Sequence, residues 1–357
     1  MTNQEIIKIL SKQLKILKLI FLLLIIAVFM IGTFSYKALY STIDLTDQSV
    51  FFEIYPGESS SQVFLRLEAN NISAQSFWLD LYIRLSKSAT KIKAGEYLLS
   101  GKTNVIEIIN LFISGKVHLH AFTIIEGWSV KDLQQQILKS DLFIDNNQAI
   151  DWINYTGGYN NEESMYLSEG MFLPETYMIP RKSKVSTLLQ RAHEALLNTL
   201  ASEWLNRNMK IPLGSPYEGL ILASIIEKET AVPDERAKIA SVFIERLKIN
   251  MRLQTDPTII YGLGNAFNGD LTRTNMRLDT PYNTYTRYGL PPTPIALPGI
   301  ESIKAALNPA DEKNIYFVAT GNDDGRHIFS TNKDDHDLAV QKYLDRIKNN
   351  STNQYIE

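Results

Sequence analysis

The apolar pattern is densest at the N-terminus, where Leu19 to Tyr36 (LIFLLLIIAVFMIGTFSY) run 18 residues without a charge. That is about the length needed to cross a hydrocarbon layer of roughly 30 Å, and it predicts one transmembrane helix over 19–36. Lys8, Lys12, Lys15 and Lys18 precede it, whereas Asp44 and Asp47 follow. The lysine-rich residues 1–18 are therefore expected to stay in the cytoplasm while the remainder is exported to the periplasmic side of the cytoplasmic (inner) membrane. The apolar core exceeds a typical signal-peptide h-region and no small-x-small cleavage site follows, so the segment reads as a retained single-pass anchor.

Beyond the anchor, hydrophobic spacing switches between strand and helix periods. FEIYPGESSSQVFLRL from Phe52 and FTIIEGWSVKDLQQQI from Phe122 echo each other at a period of 70 residues. Each reads as a strand, a tight turn at Gly57 or Gly127, and a helix opened by Ser. Units of this kind resemble the first half of a LysM module, a small wall-glycan-binding fold. Between them, KAGEYLLSG predicts a short strand and NVIEIINLFISG an amphipathic helix stopped at Gly115. Residues 46–120 thus read as one small α+β domain and 122–160 as a further βα stretch that turns polar, together a LysM-like α+β region over 46–160, with TGGYNNEES (156–164) as a Gly/Asn-rich loop. Residues 161–347 alternate helix signals with Pro/Gly-rich connections and finish as a hairpin and a helix; 348–357 is a polar tail. The expected fold class is α+β, with a mixed α/β catalytic domain.

Residues 217–231 are apolar all round when placed on a helix, which predicts a buried helix ending in Glu227-Lys228-Glu229. The two glutamates fall about 160° apart around the axis and cannot serve one site together. Glu227 lies beside Ala223 and Ser224, half a turn deeper, and Glu229 lies at the chain exit. Desolvation raises a carboxyl pKa and keeps a proton available for general-acid work. Glu227 is accordingly read as the proton donor, and Glu229 as the fallback acid. In MRLQTDPTIIYGLG, Asp256-Pro257 reads as a helix cap and first helical residue, which leaves Gln254 and Tyr261 free for a ligand. TPYNTYTRYGLPPTPIALPG (280–299) places Tyr282, Tyr285 and Tyr288 among Asn283, Thr284 and Arg287. Flat aromatic faces beside amides and hydroxyls suit a sugar, and equally the tyrosines could cover a core edge. In SEGMFLPETYMIP, Glu169 and Glu175 are either rim carboxylates or plain surface residues.

Composition removes several classes. With 45% hydrophobic and 21% charged residues the 357-residue chain is a globular sequence. A net charge of −3 with dispersed Lys and Arg gives no footprint for nucleic acid. The absence of cysteine removes disulfides, thiolate metal sites and thiol nucleophiles. The five histidines form no HExxH, and neither a G-x-S-x-G elbow nor a Gly-rich phosphate loop is present, so no metal and no cofactor are expected.

At this point the motifs EGMFLPETY (169–177), LASIIEKETAVPDERAKIASVFIERL (222–247), MRLQTDPTIIYGLG (251–264), TPYNTYTRYGLPPTPIALPGIESIKAALNP (280–309) and YFVATGNDDGRHIFSTNKDDH (316–336) resemble the endolytic murein transglycosylases of the YceG-like (MltG) family. Met171, Leu173 and Glu175 depart from the residues more usual there. The resemblance implies non-hydrolytic cleavage of the β-1,4 bond between N-acetylmuramic acid and N-acetylglucosamine within nascent peptidoglycan glycan strands. It also implies 1,6-anhydro ends, limited strand elongation, and partnership with membrane peptidoglycan synthases. It puts the catalytic role on the first Glu of EKET, Glu227, and ligand-lining roles on Tyr261, Asn283, Thr284 and Tyr285, with Gln254 and Glu175 in support. The competing readings are a lysozyme-like hydrolase using Glu169, Glu175 or Asp256 as a second carboxylate, and a membrane-anchored, non-catalytic wall-binding scaffold.

Overall fold

The computed structural model describes residues 3–73, 76–148, 150 and 168–353. The Gly/Asn-rich stretch at 156–164 lies outside the described residues. The chain divides into two compact units, Met1–His120 and Ala121–Glu357.

The first unit opens with helix α1 (Asn3–Tyr40), which contains one span, among the described residues, long and apolar enough to cross a membrane. Strand β1 (Ile43–Ile54) then leads through a turn at Gly57, held at φ +82°, into helix α2 (Ser60–Ala69). That left-handed turn conformation favours a residue without Cβ. Ser59 and Gln62 cap the first turn of α2 reciprocally, so its free N–H groups are satisfied. Helix α3 (Ser76–Leu85), strand β2 (Gly95–Thr103) and helix α4 (Val105–Ser114) follow. β1 and β2 are antiparallel, with Phe52 opposite Tyr97. Their inward residues Phe52, Ile54, Tyr97 and Leu99 meet Phe64, Leu67, Leu79, Ile83 and Phe112 in one core.

The second echo, strand β3 (Leu119–Thr123) and helix α5 (Val130–Lys139), forms as expected, with Ser129 and Asp132 closing its capping box. It does not stay with the first. Phe122, Ile124, Leu133 and Ile137 pack against Phe172, Ile179, Leu188 and Leu189, so the partition falls at His120 and Ala121, at the end of the small 46–120 domain and inside the wider 46–160 region read from sequence. Strand β4 (Thr176–Pro180) pairs with β3, and helix α6 (Val185–Leu205) supplies the covering leucines.

Helix α7 (Pro216–Glu229) is the centre of the second unit. Ser215 accepts the Glu218 N–H at its start, and every residue from Gly219 to Ile226 is buried, as the all-round apolar pattern requires. Helices α8 (Arg236–Lys248), α9 (Asp256–Leu263), α10 (Arg273–Arg277) and α11 (Ile300–Leu307) follow; α6, α8, α9 and α11 all pack on α7. Residues 278–299 cross between α10 and α11 without helix or strand. Strands β5 (Tyr316–Ala319) and β6 (His327–Ser330) form the antiparallel C-terminal hairpin. Helix α12 (Lys333–Asn353) continues past Ile347 into the polar tail, where no Gly or Pro stops it.

Candidate active site

The two glutamates at the end of α7 are both half-buried, and their surroundings differ. Glu227 faces the N-terminus of α11. Its Oε2 accepts the Gly299 N–H at 3.0 Å and the Ser302 hydroxyl at 2.6 Å. Gly299 is the N-cap residue of α11 and has no side chain to cap with, so the Glu227 carboxylate does that work from another helix. The loop before α5 closes over the same point: Gly127 N–H donates to Leu297 O at 2.9 Å, and Leu297 N–H to Trp128 O at 2.7 Å. Glu126 comes so close that a Cβ on Gly299 would lie 2.0 Å from its Oε1. Burial, then the Glu227 charge, push the Glu126 carboxyl up, against a pull from Arg236.

Glu229 faces the opposite side, and there the sequence motifs converge. Thr284 is the hub. Its carbonyl accepts the Gln254 N–H at 3.2 Å, and its hydroxyl accepts the Thr255 N–H at 3.1 Å and meets the Thr258 hydroxyl at 2.9 Å. Thr255, fixed in this way, donates its own hydroxyl to Glu229 Oε1. Burial pushes the Glu229 carboxyl above the usual range and the Asp256 charge adds to it, while the Thr255 hydroxyl, His327 and Arg246 pull it down. Thr255 is the N-cap of α9 and Asp256 its first helical residue, so Asp256 is not the cap expected from sequence. Its carboxylate is free of the helix and accepts the Tyr285 hydroxyl at 2.6 Å. Burial and Asp256 push the Tyr285 phenol far up, which keeps it a donor.

The other expected ligand residues divide. Gln254 is exposed beside this cluster and held at φ +48°, a left-handed conformation that costs a non-glycine residue energy and is found where the surroundings enforce it. Asn283 is fully buried and spent on structure: its Nδ2 donates to Leu278 O at 2.7 Å and Met276 O at 3.1 Å, closing the end of α10. Thr284 is likewise buried and acts by shaping the turn. Tyr261 stands further along α9, with its ring edge-on to Tyr282 and its hydroxyl donating to Glu169 at 3.2 Å. Glu175 is exposed at the head of β4, and its carboxylate takes part in none of these bonds.

Glu169 is no rim residue. It is 3% exposed and accepts the Val130 N–H at 3.0 Å as well as Tyr261, and burial lifts its pKa from 4.5 to about 8. The folded chain therefore holds a proton that the unfolded chain releases. That contribution to stability is complete below pH 4.5 and is lost as pH rises to about 8, at about 1.4 kcal/mol per unit. Glu169→Gln keeps the shape and should flatten this slope; thermal unfolding of wild type and variant in detergent at pH 5 and pH 8 checks it.

Sequence reasoning missed Glu126, and also Arg246, Glu235 and His327, because nothing in their local spacing marks them. Arg246 is buried and donates Nε–H to Ile315 O at 2.7 Å. Glu235, at the head of α8, accepts the His327 backbone N–H at 3.1 Å and meets its Nδ1 at 2.8 Å, tying the hairpin to α8.

The arrangement around Glu229 can donate one proton from a carboxyl kept partly dry, with a second carboxylate and a phenol close by. Comparison with known proteins gives the chain a context. Residues 52–342 match the YceG-like family. An endolytic murein transglycosylase of Bacillus subtilis (strain 168) is 30% identical over 332 residues, covering 88% of this chain and 90% of the relative. One from Streptococcus pneumoniae (serotype 2, strain D39) is 25% identical over 81% of this chain and 57% of its own length. A crystal structure of a yceG-like protein from Listeria monocytogenes superposes with a TM-score of 0.53 at 26% identity, over 82% of this chain and 99% of that one.

Proposed function

The chain belongs to the YceG-like family and is a lytic transglycosylase acting on murein, and from that premise we propose how its residues do the work. The substrate is the β-1,4 bond between N-acetylmuramic acid and N-acetylglucosamine within glycan strands. Glu229 is the acid. It protonates the bridging oxygen as that bond breaks. The muramic C6 hydroxyl then attacks the electron-poor C1, passes its proton back to Glu229, and closes the 1,6-anhydro ring without consuming water. The nucleophile belongs to the substrate, so the paired carboxylates of an ordinary glycosidase are not demanded.

The observation that carries this assignment is the Thr255 hydroxyl bonded to Glu229, with Thr284 holding Thr255 and Tyr285 bonded to the neighbouring Asp256, at a carboxyl that burial pushes toward its protonated form. Glu227, the acid expected from sequence, is engaged instead in capping α11. Gln254 and Tyr285 are proposed to meet the sugar; Thr284 and Asn283 hold the turn that presents them.

Asp256 beside Glu229 keeps a hydrolytic reading open to test, since it could orient a water. The masses of muropeptides released from purified murein separate the two. Anhydro ends are one water lighter than reducing ends, and hydrated products would overturn the cyclising mechanism.

The remaining parts of the reading concern location. The lysines in the N-terminal part of α1, ahead of its apolar span, support a cytoplasmic N-terminus, with the chain beyond α1 outside the inner membrane. The capped strand-turn-helix units support a LysM-like role in holding glycan. Peptidoglycan synthases in the same membrane are the proposed partners, because limiting strand elongation requires access to strands as they are made.

A further inference from the structure

Helix α3 carries two apolar faces although it is only ten residues long. Leu79 and Ile83 are buried in the core of the first unit. On another side Phe77, Leu81 and Leu85, four residues apart, are 69%, 38% and 75% exposed and make one stripe. A stripe of large apolar side chains left open on a small unit marks an interaction surface.

Its neighbours say what covers it. α3 packs against α1. A cavity of about 550 Å³ lined by Phe34 and Lys37 of α1 together with Asn71 and Ser73 puts the approach to α3 beside the last turns of the apolar helix. Those turns carry Tyr36 and Tyr40, their rings stacked at 5.0 Å, the residue type that gathers where hydrocarbon meets headgroups. α3 adds Trp78, its ring edge-on to Phe77 at 5.3 Å. Lys87 and Lys91, just after the end of α3, are exposed cations suited to lipid phosphates, and the exposed Arg84 before them is paired with Asp80 at 2.8 Å.

We propose that α3 is an interfacial helix: its Phe77–Leu81–Leu85 stripe enters the boundary between headgroups and acyl chains of the leaflet from which α1 emerges, so that the first unit lies against the bilayer. The proposal rests on α1 spanning the membrane. It gives the anchor a second point of attachment and fixes how far above the lipid the first unit can stand.

The chain has no cysteine, so a single introduced one labels a single place. Full-length Leu81→Cys, Val28→Cys and Pro56→Cys variants, each spin-labelled and reconstituted in phosphatidylglycerol/phosphatidylcholine vesicles, report depth through their accessibility to oxygen and to a water-soluble nickel chelate. Val28 is an exposed residue within α1, and Pro56 is exposed in the turn beyond the far end of β1. The Leu81 label is expected about 5–10 Å inside the boundary, with nickel accessibility several-fold below that at Pro56. A Leu81 label as open to nickel as Pro56, while Val28 is deep, overturns the proposal and leaves the anchor standing. A Val28 label open to nickel removes both. Spin–spin broadening at Leu81 that vanishes on dilution would show the stripe paired with a second copy, which also overturns it.

Discussion

Glu229→Gln is expected to stop murein cleavage, lowering the rate by about a hundred- to ten-thousand-fold, the usual share of a general acid, while glycan binding persists. The substitution changes little volume, and its amide oxygen can still accept the Thr255 hydroxyl. Glu227→Gln is the paired experiment. A glutamine oxygen can still take the Gly299 N–H and the Ser302 hydroxyl, so cleavage should survive, with stability lower by about 0.3–1 kcal/mol for a charge lost at a helix start. Muropeptide release and thermal unfolding of both variants read the outcome. An active Glu229→Gln enzyme, or a dead and well-folded Glu227→Gln enzyme, would return the role to the first glutamate. Cleavage also depends on a protonated Glu229, so the wild-type rate should fall as pH rises through its elevated pKa.

Arg246→Met is expected to give the largest loss of stability. The guanidinium is 6% exposed and donates to the carbonyls of Ile315 and Leu253, which links α8 to the strand of the hairpin and to the turn before α9. Methionine fills much of the space but leaves both carbonyls without that donor, at a cost of about 3 kcal/mol in total. A second signature separates this from simple loosening. Arg246 pulls the Glu229 carboxyl down, so its removal should push that carboxyl further up and move the alkaline limb of the cleavage profile to higher pH. Denaturant unfolding gives the first quantity and a pH–rate series the second; an unmoved alkaline limb would show that Arg246 acts on the fold alone.

The elements were legible wherever a local rule specified them. Ser59 and Ser129 each cap a helix as their spacing indicates, Gly115 ends another, and the buried α7 follows from apolar residues on all its faces. The site was legible only in part. Helix periodicity separated Glu227 from Glu229 correctly, yet it could not say which side held the cleft, because that depends on Thr284 and Gly299 arriving from more than fifty residues further along. Asn283 and Thr284 carry the polar chemistry of ligand residues, but their hydrogen bonds are spent within the protein. Glu169 read from sequence as either a rim carboxylate or a surface residue because its neighbours there are mixed, and its partners Val130 and Tyr261 come from distant segments.

The encasement of α7 sets where this machine can give way. With four helices packed around it, α7 would hold the proposed acid as an anvil is held, in place while glycan moves past. Any widening needed to admit glycan is expected at exposed residues outside that packing, such as Gln254 and Tyr288. Accommodation therefore belongs to the outer rim, and the proton stays where it is.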